Sequence, residues 1–194
     1  MMKRKPSGFK IFLLVICLSV IYFGVNGGYT FSKANALKNS NMLHGGDSVY
    51  EITSGTNTIV IWHTVHKDQV VLVKKKWGLL YRVEDVSQMY PSVSEPKTLF
   101  RTWSAQMNGK KRYEAIIAAQ TLDPKVKSIV VSNDSKDADI ADHIEEIKNS
   151  STFFIELPVT NGYAATYQVL DPGVSTGFVF RTLDQNGSII STSR

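Results

Sequence analysis

Apolar residues are distributed in two ways along this chain: one unbroken run near the start, then short alternating stretches to the end. Ile11 to Val25 (IFLLVICLSVIYFGV) is fifteen residues without a charge. As a helix it would rise about 22 Å, short of the roughly 30 Å hydrocarbon core, with Phe9 below and Tyr29 and Phe31 above placed to reach the interfaces. The run predicts a transmembrane anchor within residues 11–30, built on Ile11, Phe12, Leu13, Leu14, Val15, Ile16, Cys17, Leu18, Val20, Ile21, Tyr22, Phe23 and Val25. The rival is a signal peptide cut after Ala34-Asn35-Ala36, which would release a secreted chain. Ala36 lies eleven residues past Val25, a long spacing for cleavage at the membrane face, and the run is long and aromatic for a signal, so the retained anchor is favoured. Lipidation at Cys17 is disfavoured because Ile16 stands where a small residue is expected.

Residues 31–47 are polar, are broken by Gly45-Gly46, and read as a tether of low structure. Strand patterns follow. Thr58–Val65, Gln69–Lys75 and Leu79–Val86 are rich in β-branched and aromatic residues and predict a three-strand meander. Met89–Lys97 carries two prolines and reads as a loop. Leu99–Met107 and Lys110–Thr121 flank Asn108-Gly109, the dipeptide suited to a two-residue type I′ turn. Arg101 to Met107 alternates in the manner of a half-buried strand, whereas Tyr113–Ala119 is nearly all apolar and predicts burial on both faces. Val126–Ser132, Thr152–Leu157, Thr176–Leu183 and Ser188–Thr192 continue the pattern, the last two joined by a turn at Asp184-Gln185-Asn186-Gly187. Residues 138–148 fit either a strand or a single helical turn. The expected fold is mainly β, an antiparallel sandwich of nine to eleven strands over residues 48–194, preceded by one N-terminal transmembrane helix.

Charge sets the direction of that helix. The formal net charge is +5, but Lys3, Arg4, Lys5 and Lys10 precede or open the apolar run, and no Asp or Glu occurs before residue 47. Beyond the run, 18 basic residues face 17 acidic ones, a nearly neutral domain that offers no footprint for nucleic acid. The basic flank, residues 1–10, is expected on the cytoplasmic side and the β-domain outside. Cys17 is the sole cysteine, so no disulfide can close the domain, a usage that fits Gram-positive exported proteins.

Candidate chemistry is thin. His63 and His66 are a possible metal pair, but on a strand positions i and i+3 point to opposite faces, so one ion needs a bend between them. Asp134, Asp137, Asp139 and Asp142 could collect calcium, yet the spacing is not that of a calcium loop, and a solvated acidic turn is the simpler reading. Lys74-Lys75-Lys76-Trp77 reads first as lysines protecting a strand end, and second as a contact for anionic headgroups or wall polymer. No nucleophile motif, facing carboxylate pair or phosphate loop occurs, so the expectation is a protein without catalysis or cofactor.

Three stretches carry a resemblance: Ala118 to Val131, Phe153 to Leu157, and Phe180 to Ile190. Together they resemble the C-terminal β-domain of small single-pass exported proteins of bacilli. That resemblance implies an extracytoplasmic β-domain and brings no catalytic residue with it. The combined expectation is an envelope interaction or regulatory module at the cell membrane, touching the lipid bilayer and an envelope protein or wall polymer. The alternative is a ligand- or metal-binding enzyme in the same place, using His63 and His66 or the Asp134–Asp142 loop.

Overall fold

The computed structural model describes residues 8–43, 45–92, 98–133, 143–174 and 177–193. Its core is three antiparallel sheets of four strands each. The first sheet is a meander in chain order: β1 (Asp47–Ser54), β2 (Asn57–His63), β3 (Asp68–Lys76) and β4 (Leu80–Gln88). The sequence pattern predicts the last three of these. It does not reveal β1, whose side chains are all exposed apart from half-buried Tyr50, so no apolar alternation marks it.

The second sheet runs β10 (Tyr163–Leu170), β7 (Tyr113–Thr121), β6 (Leu99–Met107), β5 (Tyr90–Pro91), and the third β12 (Ile189–Ser193), β11 (Val179–Leu183), β8 (Ser128–Ser132), β9 (Phe154–Pro158). The second sheet lies in the middle. Ile116 and Ala118 of β7 pack with Ile59, Ile61, Val70 and Leu72 of the first sheet. Ala115, Ile117 and Ala119, on its opposite face, pack with Ile129, Val131 and Phe180 of the third. Burial of Tyr113–Ala119 on both faces is therefore as the pattern predicts, and alanines there leave room for larger side chains from the outer sheets. The mainly β, antiparallel fold class holds. The expected single sandwich becomes three sheets with two interfaces, and twelve strands are present among the described residues.

The stretch expected to be a loose tether is part of the domain. Ser32 caps α2 (Lys33–Lys38), its hydroxyl accepting from the Asn35 amide at 3.1 Å. α2 lays Ala36 and Leu37, with Leu43 behind them, onto Val60, Trp62, Val71, Val73 and Val83 of the first sheet. Thr30 pairs with Tyr81 through backbone hydrogen bonds of 2.9 and 2.7 Å. The domain thus begins near residue 30 rather than 48. Six helical residues are too few to show a 3.6-residue period, which is why the sequence reads as polar linker.

α1 (Gly8–Gly27) covers 20 residues and exposes its large apolar side chains. Among the described residues, however, no helix is long and apolar enough to cross a membrane. The side chains of Phe23, Val25 and Asn26 lie outside the described ones, and the described apolar surface ends at Tyr22. The expected transmembrane span is accordingly not established by the fold. α3 (Ile144–Ser150) gives the ambiguous segment a helical end with Ile147 buried, whereas Ile140 and Ala141 lie outside the described residues.

The β6–β7 hairpin forms in the expected register, with Trp103 opposite Ile117 and Met107 opposite Tyr113. Its turn is not the one predicted. The Asn108 carbonyl-amide side chain accepts from the Lys110 and Arg112 amides at 2.9 and 3.1 Å, and Lys111, not Gly109, takes positive φ at 57°. Gly109 has open space around it and no positive φ. The primed two-residue turn lies instead at Asn161-Gly162, with φ of 53° and 82°, between Thr160 and Tyr163, which exchange backbone hydrogen bonds of 2.8 and 3.0 Å.

Candidate functional site

The most developed polar cluster sits where the β2–β3 turn meets the second sheet. Thr64 shapes that turn, its hydroxyl donating to the Lys67 carbonyl at 2.6 Å and accepting from the Lys67 amide at 3.1 Å. The bend brings His63 and His66 to one cavity of about 420 Å³, lined also by Asp68, Tyr90, Phe100 and Gln120. The Asp68 side chain is only 8% exposed, and its Oδ1 stands 2.6 Å from His63 Nδ1. Tyr163 donates its hydroxyl to Asp68 Oδ2 at 3.2 Å and accepts from Gln120 Nε2 at 3.1 Å. Burial, then the charge and hydrogen bond of Asp68, push the Tyr163 phenol above its ordinary pKa, so it stays a donor across the physiological range. An imidazole whose Nδ1–H is given to a carboxylate keeps Nε2 as its acceptor nitrogen, able to take a hydrogen bond or a proton from a ligand.

Gly46 makes the backbone around this cluster possible. It has φ of 105°, and a Cβ there would lie 2.1 Å from the His63 carbonyl oxygen, so the chain can cross the end of β2 only as glycine. Asp68, Tyr163 and Gln120 carry no sequence signal: they lie on β3, β10 and β7, far apart in the chain, and only sheet packing brings them together.

His63 and His66 therefore do share a cavity, because the turn supplies the bend a straight strand would not. No group of three or more His, Cys, Asp or Glu side chains able to hold a metal ion occurs among the described residues. Asp134, Asp137, Asp139 and Asp142, as well as His44, lie outside the described residues.

A second surface lies at the opposite end of β3. Ile11, Phe12, Leu13, Leu14, Val15, Ile16, Cys17, Leu18, Val20, Ile21 and Tyr22 are all exposed on α1, while Phe23 and Val25 fall outside the described side chains. A cleft of about 390 Å³ separates α1 from the β3–β4 turn, with Val15, Val20 and Gly24 on one wall and Phe31, Leu79 and Leu80 on the other. The junction at its base is tight. A Cβ on Gly27 would lie 2.6 Å from the Tyr29 ring, which itself sits 5.6 Å from the Trp77 ring and under the Arg82 guanidinium at 5.3 Å.

Lys74 is tied inward, pairing with Glu114 of β7 and so joining the first and second sheets. Burial pulls the Glu114 carboxyl up, but the Lys74 hydrogen bond and charge, with hydrogen bonds from Asn108 and Tyr167, bring it below its ordinary pKa. Tyr167 is pushed up to about 12 by burial and by the charge and hydrogen bond of Glu114. This cluster reads as a structural clamp between sheets. No known family, no curated protein and no solved structure matches this chain.

Proposed function

We propose that the chain is a membrane-anchored, extracytoplasmic β-domain protein that serves the cell envelope as a non-enzymatic interaction or regulatory module. The observation that carries this reading is the continuity between α1 and the domain. α1 exposes an apolar surface from Phe9 to Tyr22, and three residues after it ends, Thr30 is already paired into the first sheet. The fifteen uncharged residues Ile11–Val25 rise about 22 Å, and Phe9 below them with Tyr29 and Phe31 above are placed to reach the interfaces. Lys3, Arg4 and Lys5 before the helix orient the domain outward.

The cleaved alternative fits the packing less well. Cutting after Ala36 would remove Thr30, whose pairing extends the first sheet, and Ala36 itself, which is 3% exposed in the core. A retained anchor keeps both. The resemblance to small exported proteins of bacilli points the same way.

The test is fractionation of cells expressing the full chain, followed by protease treatment of intact spheroplasts. The expected result is a protein that stays with membranes through alkaline washing and loses its β-domain to external protease. Recovery from the medium with Leu37 as the N-terminus, or protection of the domain from external protease, would overturn the reading.

One observation favours a second reading, a ligand-binding enzyme at the same location: the buried Asp68 carboxylate holding His63 at the mouth of a cavity. Metal analysis of the purified chain and of His63→Ala decides whether that cavity holds an ion. Equal metal content near zero in both would remove the metal-assisted form.

A further inference from the structure

We propose that the cavity at the β2–β3 turn is a saccharide-binding site: His63 Nε2 and the Gln120 side-chain carbonyl accept hydrogen bonds from sugar hydroxyls, and the Tyr90 ring carries the apolar face of the pyranose. The inference rests on the reading of the chain as an envelope interaction module and supplies the chemical class that the module holds.

The polar atoms of the cavity select for a ligand that donates. Asp68 accepts from His63 Nδ1 on one oxygen and from the Tyr163 hydroxyl on the other, so both oxygens are engaged. His63 Nε2 is left as an acceptor, with no partner among the described residues. The Tyr163 proton is committed to Asp68, so its hydroxyl takes a bond of 3.1 Å from Gln120 Nε2. Gln120 Oε1 is then a second acceptor with no partner among the described residues. Two acceptors in one cavity, aligned by a carboxylate whose side chain is 8% exposed, call for hydroxyl donors.

Other ligand classes fit less well. An ionised carboxylate or phosphate brings acceptors and would face the Asp68 charge, while Lys67, the one lysine of the lining, is already taken up by Gln88 Oε1 at 3.3 Å and the Tyr90 ring at 5.6 Å. A metal ion lacks a ligand set, since no group of three or more His, Cys, Asp or Glu side chains able to hold one occurs among the described residues. A hydrocarbon would cover both acceptors and leave them unpaired. The apolar wall suits a sugar: Tyr90 is 57% exposed, with Phe100 and Leu122 beside it in the lining. The C–H groups on one face of a pyranose carry partial positive charge and meet the negative face of an aromatic ring. The volume of about 420 Å³ lies within the range of about 300–1,000 Å³ usual for small-molecule sites.

The site is also preset and reachable. The Thr64 bonds to Lys67 and the glycine at Gly46 fix the turn before a ligand arrives, which lowers the ordering cost of binding. Lys74 to Lys76 are not the polymer contact their sequence suggests: Lys74 pairs with Glu114 and Lys76 with Glu84, while Lys75 lies over the Tyr81 ring. Their edge-protection reading fails as well, because β3 is an interior strand with β2 and β4 on either side. The cavity stands at the other end of β3, nine residues and about 27 Å away, so a glycan reaching it does not have to pass α1.

The test uses the full chain in a sugar-free detergent, because glycosidic detergents would compete, with chitotriose, cellotriose and maltotriose as probes. Saturation-transfer NMR reads binding, and titration gives Kd for the native chain, His63→Ala, Tyr90→Ala and, as a remote aromatic control, Trp77→Ala. Urea midpoints are measured on the same chains. The expected result is that at least one trisaccharide binds the native chain and Trp77→Ala alike, with Kd raised about 10-fold or more in His63→Ala and Tyr90→Ala. Tyr90 is exposed, so its replacement leaves the fold intact and keeps the test decisive where His63→Ala lowers the midpoint. No transfer to any of the three sugars would overturn the site, as would binding that persists in both cavity variants. Inorganic phosphate bound by the native chain and lost in His63→Ala, with no sugar bound, would assign the cavity to an anion and also overturn it. Each of these failures leaves the fractionation result standing, whereas sugar binding by a chain whose domain is protected from external protease would keep the site and overturn the envelope reading.

Discussion

Leu37→Ala separates the two descriptions of residues 31–47 more sharply than any other single change. In a solvated tether this substitution would shift stability by no more than about 0.5 kcal/mol. In the structure Leu37 is 5% exposed and belongs to the cluster of Val60, Trp62, Val71, Val73 and Val83. Removing its three outer carbons forfeits about 2.4 kcal/mol of transfer energy at about 0.8 kcal/mol per methylene. A cavity term adds to this where a helix and a sheet relax only partly, giving about 2.5–4 kcal/mol in all. Alanine is the better helix former, but that effect is worth only tenths of a kcal/mol and cannot hide the loss. The assay is urea unfolding of the full chain in detergent, followed by tryptophan emission, since Trp62 sits in the same cluster and reports its exposure. With a slope of about 2 kcal/mol per molar, the midpoint should fall by about 1–2 M. An unchanged midpoint would refute the packing of α2 and restore the tether.

Two further outcomes follow from particular contacts. Gly109→Val should change stability by about 0.5 kcal/mol or less, because Gly109 has open space and no positive φ, whereas Asn108→Ala, which removes the acceptor for two loop amides, should cost about 1–2 kcal/mol in urea unfolding. Tyr167 titrates near 12 when folded and near 10 when unfolded, so its contribution is complete below pH 10 and is lost between pH 10 and 12. The lowered carboxyl of Glu114 has the opposite sign: its contribution is present above the ordinary carboxylate pKa and is lost as pH falls through the folded value. Melting temperature against pH checks both, and Glu114→Gln should remove the acid limb but only reduce the alkaline one, since burial is the first cause of the raised Tyr167 pKa.

The class of the fold was legible in the chain because β-branched runs and turn residues are local signals, and Thr58–Val65, Gln69–Lys75 and Tyr113–Ala119 carry them plainly. What escaped was local in a different way. β1 is exposed along nearly its whole length, and in β10 the strand formers Tyr163, Thr166, Tyr167 and Val169 are interrupted by Ala164, Ala165 and Gln168, so no clean alternation of apolar and polar positions marks it. α2 is too short for a period. The Asn108-Gly109 turn shows that a dipeptide signal can be satisfied by side-chain capping in a longer loop, with the positive φ passed to Lys111. At the cavity, His63 and His66 were visible as a pair, but Asp68 was not visible as the partner of either. Its role depends on the turn that folds it back beside His63 and on Tyr163 arriving from another sheet.

The short junction between α1 and the first sheet also sets where that cavity points. β3 leads from Asp68 at the cavity to Lys76 beside the Trp77 turn, nine residues and about 27 Å of extended chain. The His63–Asp68 cavity therefore opens at the end of β3 away from the α1 junction, between the first and second sheets. A partner or ligand reaching it meets the β2–β3 turn and the second sheet rather than α1. A flexible tether would let the domain tumble and average this direction away, whereas the Thr30–Tyr81 pairing and the packed α2 hold it. The two ends of β3 thus stand about 27 Å apart, and substitutions at Trp77 should leave ligand binding or ion content at His63 unchanged.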